Sequence, residues 1–203
     1  MTTIRNLLNA GTNLKPHSLN KSPDLGEQDT IVADFVFNDN GTKMFVVGNN
    51  TGRIYEYTLG TAYDVTTASH IISIPVYNQD DNPSGIAFNN DGTKMFVVGN
   101  KNDSIYEYTL TTGFSLATAS YSTNSFSVNT QDNAPSGIAF NNDGTKMFIT
   151  GDEYAKVYEY ALGAAYDVTS AIYSNNSFSV AQDNSPQGLA FNSDGTNMVI
   201  IGI

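Results

Sequence analysis

One sequence motif recurs along this chain of 203 residues and constrains its fold more than any other feature. It reads QDDNPSGIAFNNDGTKMFVVG from Gln79, QDNAPSGIAFNNDGTKMFITG from Gln131 and QDNSPQGLAFNSDGTNMVIIG from Gln182. Together with an earlier copy at Gln28, the Gln-Asp pairs are separated by 51, 52 and 51 residues, and the turn glycines of the motif keep the same spacing. A fixed period of this length indicates a repeat architecture in which each unit is one supersecondary structure.

Each unit contains the pattern of four short β-strands, lettered a to d. The apolar runs GIAFN and KMFVV flank Asn-Asp-Gly-Thr, so we predict strands a and b joined by a tight hairpin in which Asp-Gly supplies the positive φ angles. The next run, RIYEYTL or SIYEYTL, is rich in aromatic and β-branched residues and predicts strand c, and SFSV predicts strand d. Helical periodicity is absent, so the sequence predicts an all-β chain.

Four-stranded antiparallel units repeated with short turns are typical of a β-propeller. The Pro-x-Gly before strand a, the Phe-Asn-x-Asp-Gly-Thr turn and the apolar strand b resemble the repeats of YVTN/NHL-like propellers, which include lactonase-like and tryptophan-aspartate-like families. The resemblance covers nearly the whole chain and implies a propeller fold. It does not select a function, because this superfamily includes enzymes, scaffolds and adhesins.

The period divides the chain into three full blades, at 28–79, 80–131 and 132–182, and two half blades. Residues 183–203 contain only strands a and b, and residues 1–27 have the length of strands c and d. We therefore predict a single domain, a monomeric four-bladed propeller closed by a blade that both ends of the chain share. Two alternatives remain open, namely an open fragment of a longer propeller and a homo-oligomer in which two copies complete a larger ring.

A charge pair recurs in every full unit. Lysine begins strand b and glutamate lies in strand c 13 residues later, as in Lys43 and Glu56, so each pair can meet diagonally across the b–c hairpin. In the proposed split blade both charges are replaced, by Asn197 and Asn6. This joint loss supports pairing of the two half blades.

Composition excludes several classes of partner. The formal charge is −11, with 20 acidic and 9 basic residues, which disfavours nucleic acid and anionic membrane. The chain has no cysteine, so it has no disulfide and no thiolate metal site. It also lacks an evident signal peptide and any apolar run long enough to span a bilayer. We predict a soluble protein, with the cytoplasm, a virion or an extracellular surface as open locations.

Residues that could carry chemistry are sparse. The histidines are His17 and His70, and neither recurs with the blades, so no catalytic triad is indicated. The Asn-Asp-Gly-Thr turns lack the ligand spacing of a calcium loop and are explained by the hairpin. Small residues before and within strand a, such as Gly85 and Ala87, are expected to permit close approach at the axis. The Tyr-Glu-Tyr residues of strand c are expected to pack between blades.

Five aspartates are candidates for binding a ligand or a cation such as Ca²⁺. Four of them follow Gln in the loop that leads to strand a, and closure of the ring would bring them to one mouth of the central channel. Asx turns within the loops are the structural alternative for these four. The fifth breaks the repeat, because it replaces glycine at the start of strand a and adds a carboxylate beside the channel mouth. The candidates are Asp29, Asp34, Asp80, Asp132 and Asp183.

The sequence favours a non-enzymatic binding or structural module that presents loops from a rigid propeller to a protein or glycan surface, for example as a virion or surface-exposed component. Two alternatives remain. One is a metal-dependent, lactonase-like hydrolase with a cation in the central channel, which requires a cation and a base in one pocket. The other is a half-propeller that assembles into a larger ring.

Overall fold

The computed structural model describes residues 28–180, 182–183 and 185–202 of the chain. These residues form four antiparallel sheets. Three sheets have four strands in chain order, β1–β4, β5–β8 and β9–β12, and are named blade 1, blade 2 and blade 3. The fourth sheet contains β13 and β14 and is named the half-blade. The predicted all-β fold and four-stranded unit are therefore confirmed.

The three full blades share one element order, in which a single 3-10 turn precedes the outermost strand. The strands are β1 Val32–Phe37, β2 Lys43–Gly48, β3 Arg53–Leu59, β4 Ala68–Pro75, β5 Pro83–Phe88, β6 Lys94–Gly99, β7 Ser104–Leu110, β8 Ala119–Ser127, β9 Pro135–Phe140, β10 Lys146–Gly151, β11 Lys156–Ala161, β12 Ile172–Ser179, β13 Pro186–Phe191 and β14 Met198–Gly202. The 3-10 helices are Val65–Thr67, Leu116–Thr118 and Val168–Ser170. Among the described residues, no helix is long and apolar enough to cross a membrane.

The turn between the first two strands of a blade is longer than the predicted tight hairpin. In blade 2, pairing ends at Phe88 and Met95, and Gly92 has a φ of +69° whereas Asp91 does not have a positive φ. The Asp91 carboxylate accepts hydrogen bonds from the Thr93 backbone N–H at 2.9 Å and from its hydroxyl at 2.5 Å. These bonds lower the pKa of Asp91. The motif therefore forms a loop held by its own side chains, with left-handed backbone only at glycine.

The core lies between blades. Phe45 and Val47 of blade 1 pack with Met95 of blade 2, and Phe96 of blade 2 packs with Met147 of blade 3. The second strands of blades 1 and 2, β2 and β6, are buried along nearly their whole length, which agrees with their continuous apolar sequence, whereas the outermost strands are largely exposed. All six strand-c tyrosines are buried. The predicted packing between blades is confirmed for Tyr106, Tyr108, Tyr158 and Tyr160, whereas Tyr55 and Tyr57 pack with other residues of blade 1.

The innermost strands β1, β5, β9 and β13 lie side by side around one axis. Each contacts the next, and β1 also contacts β13. A Cβ atom on Gly85 would lie 3.0 Å from the Gly137 Cα, and one on Gly137 would lie 2.9 Å from the Gly188 Cα. Glycine therefore permits the predicted close approach of backbones. The predicted blade shared by both ends of the chain depends on residues 1–27, which lie outside the described residues.

The predicted lysine–glutamate pairs form in the three full blades. Phe45 is directly opposite Glu56 in the register of β2 and β3, so Lys43 reaches Glu56 diagonally. The N–O distances are 2.7 Å for Lys43–Glu56, 3.4 Å for Lys94–Glu107 and 3.1 Å for Lys146–Glu159. The matching Asn6 of the predicted split blade is outside the described residues.

Two turn glycines give a matched test of packing beneath the turn. Gly144 has a φ of +70°, and a Cβ atom there would lie 2.2 Å from the Tyr166 ring. Gly195 has a φ of +72°, and a Cβ atom there would meet no atom of the described residues within 4 Å. Both alanine variants strain the backbone, but only Gly144→Ala must also displace a ring. We expect Gly144→Ala to lower the free energy of unfolding by about 1–3 kcal/mol more than Gly195→Ala in urea denaturation. Equal losses would show that the ring moves freely.

Candidate functional site

The Gln-Asp pairs join the start of each blade to the hairpin between its second and third strands. In blade 2, the Asp80 carboxylate is buried and accepts from the backbone N–H groups of Asn82 at 2.9 Å and Asn102 at 2.8 Å. The Gln79 side-chain oxygen accepts from the Tyr108 hydroxyl at 2.7 Å. These contacts hold the loop that leads into the innermost strand.

The other three Gln-Asp copies have the same local bonding. Each carboxylate accepts from the backbone N–H two residues later, Asp29 from Ile31 at 2.8 Å, Asp132 from Ala134 at 2.9 Å and Asp183 from Ser185 at 3.0 Å. Among the residues that the structure describes, no group of three or more His, Cys, Asp or Glu side chains could hold a metal ion. The local hydrogen bonds fit the Asx-turn alternative for these four loops, and a Ca²⁺ site at the channel mouth stays a prediction.

Asp34 lies in a different environment from the other four candidates. It occupies the position on β1 that Gly85 occupies on β5, next to an irregularity in the pairing of β1 with β2. One carboxylate oxygen accepts from the Phe35 N–H at 2.8 Å, and the other accepts from the Ile86 N–H of blade 2 at 3.0 Å. Asp34 thus links the innermost strands of two blades at the axis.

The environment of Asp34 changes its acidity. Burial of the carboxylate raises its pKa from the ordinary value of 3.8 to about 7, although the hydrogen bonds from Ile86 and Phe35 act in the opposite direction. The residue as a whole, backbone included, is half-buried. A carboxylate has about four acceptor positions, and the two backbone N–H groups occupy two of them. Asp34 can therefore bind a water molecule and exchange a proton near neutral pH.

Amide side chains connect the blades near the innermost strands, a role that sequence reasoning missed. Asn49 donates to the side-chain oxygen of Asn82 and, at 3.1 Å, to the carbonyl of Pro83. One period later, Asn100 donates to the carbonyl of Pro135 at 3.2 Å. The recurrence of asparagine after the second strand was the available signal. These bonds link neighbouring blades close to their innermost strands. One linked pair of strands is β1, which contains Asp34, and β5, which contains its amide donor Ile86.

The histidines do not contribute to this site in the described part of the chain. His70 lies in β4, at the opposite edge of blade 1 from β1 and Asp34. Its ring centroid is 5.4 Å from that of Tyr57, so it packs against a strand-c tyrosine. His17 lies outside the described residues. The only acid–base group that the described structure places at the axis with a pKa near neutrality is therefore Asp34.

No protein-family model and no curated protein matches this sequence. Solved structures match it in fold. A protein assigned as a 6-phosphogluconolactonase from Bacteroides uniformis is 11% identical with a TM-score of 0.60, over 90% of this chain and 50% of that one. The periplasmic gluconolactonase of Pseudomonas aeruginosa is 12% identical with a TM-score of 0.53, over 84% and 42%. Hydrazine synthase of Kuenenia stuttgartiensis is 17% identical with a TM-score of 0.54, over 86% and 43%.

These similarities establish the propeller fold, and the chain spans half or less of the length of each of these proteins. They also correct the functional prediction from the sequence. A non-enzymatic binding or structural module was favoured because the repeats contain no obvious catalytic set, but two of the neighbours are named as lactonases. The lactonase-like alternative is therefore better supported than the favoured prediction. In architecture, the chain is similar to propeller-fold lactonases.

Proposed function

We propose that this protein is a lactonase-like hydrolase whose general base is Asp34. The observation that carries the proposal is the carboxylate of Asp34, which lies at the propeller axis with a pKa raised to about 7. The neighbours named as lactonases supply the reaction class. The Pro-x-Gly and Asn-x-Asp-Gly-Thr motifs support the finer assignment to the YVTN/NHL-like propellers.

The chemistry needs one group that takes up and returns a proton. A lactone is a cyclic ester, so hydrolysis requires water to attack the carbonyl carbon and the ring C–O bond to break. Asp34 would accept the proton from the attacking water and then donate it to the departing alkoxide, which leaves the carboxylate as it began. A pKa near the working pH suits both steps, because the base must be deprotonated at first and acidic afterwards. The Phe35 and Ile86 N–H groups hold the carboxylate in place during both.

No step in this mechanism passes through a metal ion. The carboxylates of the Gln-Asp loops are engaged by N–H donors of their own blades. The described contacts of the Asp34 carboxylate are two backbone amides rather than further carboxylates. The proposal therefore differs from the metal-dependent alternative in that Asp34 acts alone as the acid–base group.

Charge points to an uncharged substrate. The formal net charge of −11 produces a negative potential that repels phosphorylated sugars. We therefore propose a neutral sugar lactone as the substrate class, in preference to a phosphorylated one. Because the chain spans half or less of the named lactonases, a ring completed by a second copy is the competing arrangement for the same chemistry.

The test is a lactonase assay with the full chain, in which acid release from glucono-δ-lactone is followed with and without EDTA. We expect turnover above the rate in buffer, rising with pH around a midpoint near 7 and unchanged by EDTA. Asp34→Asn is expected to lower kcat/KM on the order of 10²–10⁴-fold. Asp91→Asn, in an exposed turn, is the control and should retain activity. Turnover that is absent, or unaffected by Asp34→Asn, would refute the proposal.

A further inference from the structure

Both complete interfaces between blades contain an aromatic ring from the later blade, which we name the plug. The ring belongs to the loop after the third strand of that blade and lies between the first hairpins of the two blades. In the first interface, the Phe114 ring centroid lies 6.4 Å from that of Phe45 and 5.3 Å from that of Phe88. In the second, Tyr166 takes the same place against Phe96 and Phe140, at 6.4 and 5.2 Å.

The backbone of the plug is bound by the recurring charge pair of the earlier blade. Lys43 donates to the Phe114 carbonyl at 2.6 Å, and Lys94 donates to the Tyr166 carbonyl at 2.8 Å. In the first interface, the Leu116 N–H also donates to the Glu56 carboxylate at 2.8 Å. Each lysine therefore bridges its own glutamate and the plug, so the interface has a polar half as well as an aromatic one.

The interface between blade 3 and the half-blade has the same walls without a described plug. The Phe148 and Phe191 ring centroids are 4.8 Å apart, close to the 4.7 Å of both Phe45–Phe88 and Phe96–Phe140. A groove of about 330 Å³ lies there, lined by residues that include Phe148, Phe178, Phe191, Gly195 and Met198.

Three further features mark this groove as the matching socket. In the part of the chain that the structure describes, no atom lies within 4 Å of a Cβ placed on Gly195, whereas rings cover Gly92 and Gly144. Phe148 is only partly buried, whereas its counterparts Phe45 and Phe96 are completely buried. Phe178 is 62% exposed, whereas its counterpart Phe126 packs against Tyr160 of the next blade at 5.5 Å. The groove is therefore shaped by the repeat to receive the third-strand segment and plug of a following blade.

We propose that the N-terminal segment 1–27 of this chain docks in this groove and takes the place of the plug, with smaller side chains than the rings of the other interfaces. Leu14 stands 14 residues before Gln28, as Val65 stands 14 before Gln79 and Val168 stands 14 before Gln182. Leu8 corresponds in the same way to Leu59 and Leu162, both of which are buried. Thr12 stands where blades 1 and 3 have Tyr63 and Tyr166. Leu14 is therefore the apolar residue of the segment that we expect in the groove. Thr12, which is smaller than an aromatic residue, would fill the ring position less completely.

The chain has no tryptophan, so a single introduced tryptophan reports on the groove in the intact protein. Phe148→Trp places the probe in the groove, and Phe96→Trp places a matched probe in a filled interface. We expect acrylamide to quench both probes weakly in the full chain, independent of protein concentration. Adding Leu14→Asp should increase quenching of the Phe148→Trp probe severalfold and leave the Phe96→Trp probe unchanged.

The paired probes separate the possible failures. If Leu14→Asp unfolded the protein, both probes would become exposed, and the milder Leu14→Ala would then replace it in the same comparison. A Phe148→Trp probe that is strongly quenched before any change to Leu14, or unaffected by both Leu14 variants, would overturn the proposal. Protection that disappears on dilution, together with elution as a dimer, would assign the groove to a second copy of the chain and would also overturn it.

Discussion

Replacement of Asp34 by asparagine is expected to stabilise the folded protein at and above neutral pH. The pKa of Asp34 is about 7 in the folded protein, compared with an ordinary value of 3.8. The folded state therefore holds a proton that the unfolded chain releases at lower pH. The stability that Asp34 contributes is complete below about pH 4 and is lost as the pH rises to about 7. Asparagine cannot ionise and avoids this loss.

The size of the effect follows from the shift. One pKa unit corresponds to about 1.4 kcal/mol, so the shift amounts to about 4 kcal/mol. Asparagine has a single acceptor oxygen and leaves one of the Phe35 and Ile86 N–H groups without its acceptor, which costs about 1–3 kcal/mol. We therefore expect a net gain of about 1–3 kcal/mol in the free energy of unfolding above pH 7. Urea denaturation over this pH range measures it. Asp91→Asn is the control, and for it we expect a loss of stability instead of a gain. The reason is that hydrogen bonds from Thr93 lower the pKa of Asp91, so its ionised form stabilises the folded protein. If Asp34→Asn and the parent have the same pH dependence, the carboxylate is not buried as described.

A gain in stability on removal of Asp34 would also bear on its function. A carboxylate that destabilises the fold at neutral pH is the pattern expected of an active-site group, because selection retains it for activity. Loss of turnover and gain of stability in the same variant would agree with a catalytic role. If Asp34→Asn is more stable but the parent protein has no lactonase activity, the proposed hydrolase is excluded. Asp34 would then be only a position at which the repeat has diverged.

Replacement of Glu56 by alanine is expected to cost about 3–5 kcal/mol of unfolding free energy. The side chain is buried, pairs with Lys43 at 2.7 Å and accepts from the Leu116 N–H of blade 2 at 2.8 Å. Its removal leaves a lysine without its counter-ion and a buried N–H without its acceptor. Both penalties fall on the interface between blades 1 and 2.

The same position in blade 3 supplies the matched variant. Glu159 pairs with Lys146 at 3.1 Å, but its side chain is 20% exposed compared with 4% for Glu56. For Glu159→Ala we expect a loss of about 1 kcal/mol if the groove beside it is open, as for a partly solvated ion pair. If segment 1–27 fills the groove, the loss should approach that of Glu56→Ala. Urea denaturation of both variants under one condition gives the comparison. Similar losses would mean either that the ion pair alone determines the stability or that Glu159 also contacts a segment docked in the groove, and the tryptophan probes distinguish these two readings.

Much of the fold is predictable from the sequence because its strongest signals are local and repeated. The spacing of the Gln-Asp pairs predicts the blades, and the 13-residue lysine–glutamate spacing predicts the ion pairs that Lys43 and Lys94 form. The hairpin turn was predicted too short, because the Asn-Asp-Gly-Thr sequence satisfies its own loop through side-chain bonds instead of a two-residue turn. The plug formed by Phe114 and Tyr166 was missed, because their aromatic character does not reveal which blade they enter.

The candidate site was less predictable, because its properties arise between blades. Asp34 was identifiable as a departure from the repeat, but the raised pKa depends on its surroundings at the axis. Its second amide donor, Ile86, is 52 residues away in the sequence. The four Gln-Asp carboxylates accept hydrogen bonds from local amides, and their predicted role at a channel mouth stays a prediction. The functional prediction failed for a different reason, because the resemblance to named lactonases exists in backbone geometry at 11–12% identity.

The plug and its socket give each blade two unlike faces, one that inserts a ring and one that receives it. Contacts of this head-to-tail kind can be continued by any further copy of the same unit. Duplication of a 51- or 52-residue unit in the gene would therefore add a blade that already fits both of its neighbours. The rotation between units then decides whether the series closes into a ring or continues as a filament. A protein of this design can change its number of blades without the evolution of a new interface.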